Sequence, residues 1–398
     1  MTSKRGAIVD EHVTRLAARR VRKLARQIAK QYDGLEVAGD PEYIHRARVA
    51  SRRLRAALDV FSSVFGKKVS GRYRDEIGKF ARALGKPRDL DVQLLAVRDL
   101  LAAVDDPELV PGVAYLFARF QRERAELQPK VVRALERFMK AETVDRLAQF
   151  AEKLEKKARK KVEKSGTNGN GQRLSKEVRS LAKKKILRRL GHLLDLAGCL
   201  EDPADVTGHH QMRIAAKKLR YTLEIFGSAY GGLLDDTTAA VKQLQTYLGD
   251  IHDCDVWEET LETLASRIGA SGGTDMPDCV NPQSLMPGIR WMQAYYARRR
   301  EELYQDLCRF WQSEETQETL QNLPSLLDCD PPPTKKKDLD KSPAEKPSAD
   351  ARSTAADDRA DESGEAEPAK PASSNGNGHL AGPHVEQAKV ADSSSVGP

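Results

Sequence analysis

"HRARVASRRLRAAL", residues 45–58, decides how the rest of the chain is read. It holds one histidine and five arginines, and no acid. Successive residues of a helix turn by about 100°. His45, Arg48, Arg52 and Arg55, at spacings of three, four and three, therefore fall in one narrow stripe. Ala50, Leu54, Ala57, Leu58 and Phe61 fall on the opposite side, the spacing of a face packed against a core. Like charges three or four residues apart repel by roughly a few tenths of a kcal/mol per pair. A row of them calls for anions, from the protein itself or from a ligand.

Helical periodicity extends outward from this stretch over residues 8 to about 327, and no run reads as a strand. "EHVTRLAARRVRKLARQIAKQY" predicts a first helix ended by Asp33-Gly34. Asp40-Pro41 caps and opens the basic helix, which runs to Phe65 and stops at Gly66. "RYRDEIGKFARALG" and "RDLDVQLLAVRDLLAAV" predict a third and a fourth helix. A long helical stretch from about Pro111 to Lys164 follows, with an interruption expected near Pro129. "SGTNGNGQ" opens a Gly/Asn-rich linker over 165–174.

Past the linker the chain repeats itself. "HRARVASRRLRAALDVF" at 45–61 aligns with "HQMRIAAKKLRYTLEIF" at 210–226, an offset of 165. His45, Arg48, Arg52 and Arg55 meet His210, Arg213, Lys217 and Arg220. "LGKPRDLDV" at 84–92 aligns with "LGDIHDCDV" at 248–256, an offset of 164, so Arg88 meets His252. A basic helix precedes each copy. Arg15, Arg19, Arg22, Arg26 and Lys30 share one face of the first, and Lys176, Arg179 and Lys183 one face of the second. The expected fold class is all-α: two helical bundles, 8–164 and 175–327, related by an internal duplication and a pseudo-two-fold.

Residues 328–398 are expected to be a disordered low-complexity tail, because Ala, Ser, Pro, Gly, Asp, Glu and Lys offer too little apolar surface to offset ordering. From Cys329 onward this tail holds nine Lys+Arg and thirteen Asp+Glu. Residues 1–328 thus carry 57 basic and 46 acidic side chains, a net of +11, above the +7 of the 398-residue chain. An anionic partner follows from that balance. No segment has the length of uncharged apolar residues a membrane span needs, and the amino terminus lacks a signal-peptide apolar run. Five scattered cysteines without a CxxC pair read as reduced thiols of a cytoplasmic protein.

The two repeated blocks resemble the CHAD family, the conserved histidine alpha-helical domain. The likeness rests on H-x-x-R-V/I-x-x-R/K-R/K-L-R followed some 40 residues later by L-G-x-x-R/H-D-x-D-V, present twice within roughly residues 8–325. It implies a two-bundle helical fold that binds inorganic polyphosphate in a basic central groove, often on polyphosphate granules. Some relatives carry a fused triphosphatase domain opening with E-x-E-x-K on a strand. No such string precedes the first helix here, and "EAEPAK" at 365–370 has the wrong spacing.

The stripe from His45 to Arg55 spans about 15 Å of helix, so an extended phosphate polymer could meet a cation at every turn. Arg donates paired hydrogen bonds to phosphate oxygens and stays charged, whereas Lys217 supplies a point charge. The alternative is a plain solvated face. His45 and His210 could contact the ligand or fix helix packing. His252-Asp253, with His209, His210 and Asp255 near in sequence, resembles the ligand sets of metal phosphohydrolases. Symmetry argues against it, since Arg88 at the matching position cannot ligate a divalent metal. Asp89, Asp91, Asp253 and Asp255 then read as structural acids that orient the arginines, with Arg88 and His252 facing the anion. "KLEKKARKKVEK" at 153–164 reads as a solvated helix end. Phe117, Phe120, Phe138, Trp257, Trp291, Tyr295, Tyr296 and Trp311 read as core.

The leading function is non-enzymatic binding of inorganic polyphosphate, with other polyanions as further partners and no catalytic residue, metal or cofactor assigned. The binding set is Arg15, Arg19, Arg22, Arg26, His45, Arg48, Arg52, Arg55, Arg88, Lys183, His210, Arg213, Lys217, Arg220 and His252. A nucleic-acid backbone binder is the alternative. It is disfavoured because aromatics make up 6% of the chain and only Tyr221 lies in the basic repeats. A metal-dependent phosphohydrolase is the third reading.

Overall fold

A computed structural model of the chain describes residues 11–37, 40–164, 176–227, 230–271 and 281–329. The expected linker at 165–174 and the expected 328–398 tail from residue 330 on lie outside the described residues, whereas Asp328, assigned to that tail, is helical. Within them the chain is all-helical, with no strand. In order the helices are α1 (Glu11–Ala29), α2 (Tyr32–Val37), α3 (Glu42–Val60), α4 (Ser62–Phe65), α5 (Lys67–Ala83), α6 (Gly85–Ala103), α7 (Val110–Lys140) and α8 (Thr143–Lys164). Then come α9 (Lys176–Leu194), a 3-10 turn (Ala197–Glu201), α10 (Val206–Gly227), α11 (Asp235–Ser271), α12 (Pro282–Gln312) and α13 (Glu314–Asp328).

Local chemistry explains several boundaries. Asp40 accepts the backbone N–H of Glu42 at 2.8 Å, which caps α3 as the Asp-Pro pair predicts. Gly66, at φ 83°, sits between α4 and α5 in a conformation that favours glycine. Four expectations need correction. Asp33-Gly34 does not end helical structure but lies inside α2. There the ring of Tyr43 packs so closely on Gly34 that a Cβ would overlap it. The basic helix breaks at Phe61 rather than running unbroken to Phe65. The third helix starts at Lys67, earlier than "RYRDEIGKFARALG" indicates.

Pro129, the fourth case, does not interrupt α7. A proline in a helix interior costs about 3 kcal/mol. Phe120, Leu127, Val131, Leu135 and Phe138 nevertheless bury one continuous face on both sides of it. Burying such side chains stabilises by about 1.5–3 kcal/mol each, which outweighs the lost bond. The chain turns instead at Glu142, whose φ of 49° is left-handed.

All the α-helices among the described residues contribute to one continuous cluster of buried apolar side chains. α1 packs on α8 and α3, α3 on α5, α6 on α7, α10 on α9 and α11, and α11 on α12. Several contacts join the earlier helices to the later ones, two of them between closely packed faces. Phe61, just past α3, meets Phe226 of α10 edge to face with centroids 5.9 Å apart. Gly112 of α7 lies against Gly288 of α12, so near that a Cβ on Gly112 would strike the Leu285 carbonyl. The aromatics expected in the core are there. Phe120, Phe138, Trp257 and Tyr296 are buried, and Phe117, Trp291, Tyr295 and Trp311 pack against that core.

Candidate functional site

α3 and α10 are in contact, and each is buried on nearly every side. The stripe His45, Arg48, Arg52 and Arg55 is not a solvated face. Arg48 is 1% exposed and Arg52, the most open of its arginines, 8%. On α10, Arg213, Lys217 and Arg220 are buried as well, while His210 is half-buried. Among the described residues the buried cations of these two helices and α6 are Arg48, Arg52, Arg55, Arg88, Arg213, Lys217 and Arg220. The buried acids of all the described residues are Asp91 of α6 and Asp250 of α11. Placing like charges out of water is costly unless opposite charge or hydrogen bonds compensate.

Helices α5 and α6 cover the α3 row. Arg48 donates to the carbonyl of Ala81 on α5 at 3.1 Å. The Arg55 guanidinium lies over Gly78, where a Cβ would sit 3.5 Å from its Cζ and equally 3.5 Å from Arg82 Nη1. Gly78 thus marks where the Arg55 and Arg82 guanidinium groups come close to the α5 backbone. Arg88 of α6 is 2% exposed, and its Nε and Nη2 are buried with no hydrogen-bond partner among the described residues. Burial pushes its guanidinium down to about 10, against the attraction of Asp91 and Glu42, while Arg48 adds repulsion.

One acid of each D-x-D motif engages an arginine outside both stripes. Asp91 accepts from Arg124 Nε of α7 at 2.6 Å, and Asp255 accepts from Arg300 Nε of α12 at 2.6 Å. Arg124 and Arg300 were not singled out in the sequence. They lie 33 and 45 residues beyond their acids, where no local periodicity points. Burial leaves the Asp91 carboxyl above its ordinary value despite Arg124. Burial also acts to raise Asp255, but interaction with His252 and Arg300 outweighs it and holds that carboxyl low. His252 Nδ1 lies 3.7 Å from Asp255 Oδ2, and its ring meets that of His210 with centroids 4.9 Å apart. His209, by contrast, donates Nε2–H to the Cys199 carbonyl at 3.0 Å, and burial lowers its pKa. It is a packing histidine.

The structure therefore brings together His45, Arg48, Arg52, Arg55 and Arg88 around α3 and α6. It likewise joins His210, Arg213, Lys217, Arg220 and His252 around α10 and α11. It does not bring the α1 cations into either group. Arg19 and Arg22 pair with Glu155 of α8 at 2.7 and 3.1 Å, Arg15 is half-buried and Arg26 is exposed. Lys183 pairs with Asp328 of α13 at 2.5 Å. Arg220 approaches Glu224 at 3.6 Å and lies 5.1 Å from the Tyr221 ring. Glu224 also faces Arg53 at 3.5 Å, and its carbonyl accepts from Arg20, so one residue gathers α1, α3 and α10.

No group of three or more His, Cys, Asp or Glu is disposed to hold a metal ion among the described residues. No described helix is long and apolar enough to cross a membrane.

Comparisons with known proteins complete the picture. A family model described as the CHAD domain matches residues 12–262. The crystal structure of the CHAD domain from the plant Ricinus communis superposes with a TM-score of 0.55 at 20% identity. The match covers 80% of this chain and 96% of that one, and it shows a shared fold. PptA from Streptomyces chartreusis aligns at 17% identity with a TM-score of 0.48, over 75% of this chain and 99% of its own. No curated protein matches.

Proposed function

The chain belongs to the CHAD domain family, and from that premise we propose that it binds inorganic polyphosphate without turning it over. The observation that carries this reading is the concentration of buried cations, seven on α3, α6 and α10 against two buried acids among the described residues. A phosphate polymer supplies evenly spaced negative charge and could compensate both rows at once. Arg52 and Lys217, at 8% and 7% the most exposed Arg and Lys of their rows, are where the polymer first meets the protein. Arg88 completes the site in the first repeated block and His252 in the second. Polyphosphate chains protruding from granules present the same surface, so the protein would associate with granules through this site.

Binding without hydrolysis is supported by the Arg88/His252 mismatch. A metal-ligating role shared by both blocks cannot use an arginine. The test is a titration with long-chain polyphosphate and with single-stranded RNA at matched phosphate concentration, followed by a phosphate-release assay with magnesium or manganese. Preferential binding of polyphosphate with no release is expected. Equal affinity for RNA, or metal-dependent release lost in Asp253→Ala, overturns the reading.

A further inference from the structure

The internal likeness of the chain reaches further than its basic helices. Pro111-Gly112 and Arg124 of α7 align with Pro287-Gly288 and Arg300 of α12 at an offset of 176. These are the arginines that hold Asp91 and Asp255, which align at the offset of 164. Both ion pairs run from Nε to Oδ1 at 2.6 Å between mostly buried side chains. The groups behind the arginines correspond as well. Four residues on, Gln128 donates to the Leu35 carbonyl at 3.0 Å and Tyr304 to the Leu200 carbonyl at 2.9 Å. Leu35 and Leu200 align at the offset of 165. Gln128 Oε1 also accepts from Arg124 Nη1 at 3.2 Å, which fixes that guanidinium in place.

Asp91 stands one helical turn from Arg88, close enough to serve it as an internal substitute for phosphate. It is not used that way. Asp91 gives Oδ1 to Arg124, and its Oδ2 is buried with no hydrogen-bond partner among the described residues. Arg88 Nε and Nη2 are likewise unbonded there. In the second block Asp255 is divided between Arg300 at 2.6 Å and His252 at 3.7 Å. Resting on the proposed function, we propose that Arg124 and Arg300 are positioning residues of the polyphosphate site. Each neutralises the second acid of its D-x-D motif and keeps that carboxylate from competing with phosphate for Arg88 or His252. Neither arginine touches the ligand.

The charges around Asp91 set the direction of the effect. Arg124 from α7 and Arg88 from α6 itself favour the carboxylate, while burial opposes it and prevails. From α3, Glu42 and Arg48 act on Arg88, as does Asp89 of α6. α5 brings Arg82 beside Arg55 at Gly78, and Glu123 of α7 is engaged by Arg119 and Lys86. Arg124 supplies the larger of the two attractions on Asp91, so its removal raises that carboxyl further. A raised carboxyl is ionised above its pKa and neutral below it. Without Arg124 the carboxylate therefore competes with phosphate at high pH, and the competition fades as pH falls through that pKa.

The experiment measures long-chain polyphosphate affinity of the full chain and its variants between about pH 8 and about pH 5, each as a ratio to the parent at the same pH. That ratio removes titrations common to both proteins. Arg124→Gln should bind about tenfold more weakly at the upper end and approach the parent at the lower. Arg124→Lys, which keeps the charge, should recover most of the loss. Asp91→Asn combined with Arg124→Gln removes both charges and should bind within about threefold of the parent throughout. Arg300→Gln should likewise weaken binding at the upper end, and adding Asp255→Asn should restore it. Parental affinity in both single glutamine variants overturns the positioning role and leaves polyphosphate binding intact. So does a loss in Arg124→Gln that is level with pH, or one carried into the neutral pair. Where Arg124→Gln does not fold, the neutral pair decides by itself, because weak binding there is incompatible with a role exerted through Asp91. No binding by the unaltered chain removes both readings.

Discussion

The Arg189 guanidinium of α9 closes on the Asp59 carboxylate of α3 at 2.7 Å, and its other arm donates to the Lys218 carbonyl of α10 at 2.7 Å. One side chain thereby ties three helices, two of which carry the buried cation rows. Arg189 is mostly covered whereas Asp59 is more than a third exposed, so the ion pair is screened on one side. Arg189→Ala should cost about 1–2 kcal/mol, most of it from the lost bond to a backbone carbonyl. Asp59→Ala should cost less than about 1 kcal/mol. Denaturant unfolding of both variants checks the order, and an equal or inverted cost would contradict it.

Gly112→Ala runs against helix propensity. In an exposed helix interior that change stabilises by about 1 kcal/mol. Here the new methyl strikes the Leu285 backbone on α12, and neither backbone can yield cheaply. The expected outcome is destabilisation by about 1–3 kcal/mol with a lower Tm. A gain in Tm would show that α7 and α12 do not approach so closely.

Arg88→Met separates stability from binding. Arg88 is buried with two nitrogens lacking hydrogen-bond partners among the described residues, and Asp91 keeps Arg124 after the change. Its folded pKa is lowered to about 10, so carrying the charge penalises folding throughout the pH range below that value. The penalty eases only as pH rises above it. The ligand-free variant should therefore be more stable at neutral pH by about 1–3 kcal/mol and bind polyphosphate more weakly. Thermal unfolding alongside a binding titration decides it. Loss of stability would mean that Arg88 holds the fold rather than the ligand.

Much of this was legible in the sequence. The 3.6-residue spacing places the apolar faces of α1, α3 and α7, and the offset of 165 pairs His45 through Arg55 with His210 through Arg220. What could not be read is the burial of those rows. A helix pattern shows which residues share a face, but α5 and α6 cover Arg48 and Arg55 through tertiary contacts. Nor do the partners of Asp91 and Asp255 follow from spacing, because Arg124 and Arg300 arrive from later helices. Pro129 and Gly34 misled for one reason. Both carry a local cost that burial of neighbouring side chains, Leu127 and Val131 or Tyr43 over Gly34, outweighs.

Salt should weaken binding in proportion to the number of phosphates engaged. By analogy with single-stranded nucleic acids, each contact contributes about −0.7 to the slope of log K against log salt. Three or more engaged cations predict a slope of about −2 or steeper. A flat response between low and physiological salt would exclude a site built from both rows.

The most direct measurement is a double-mutant cycle on polyphosphate affinity with Arg52→Glu and Lys217→Glu, the two most exposed Arg and Lys of the buried rows. Helicity is checked for each variant, and Arg52→Met with Lys217→Met serves as a second cycle without reversed charge. Residues that share one ligand couple, whereas independent sites add. Each single change should weaken binding about tenfold or more, and the double change by less than the product of the two. Effects that multiply, or variants that each lose half the binding capacity at unchanged affinity, would contradict a single polyanion bridging α3 and α10.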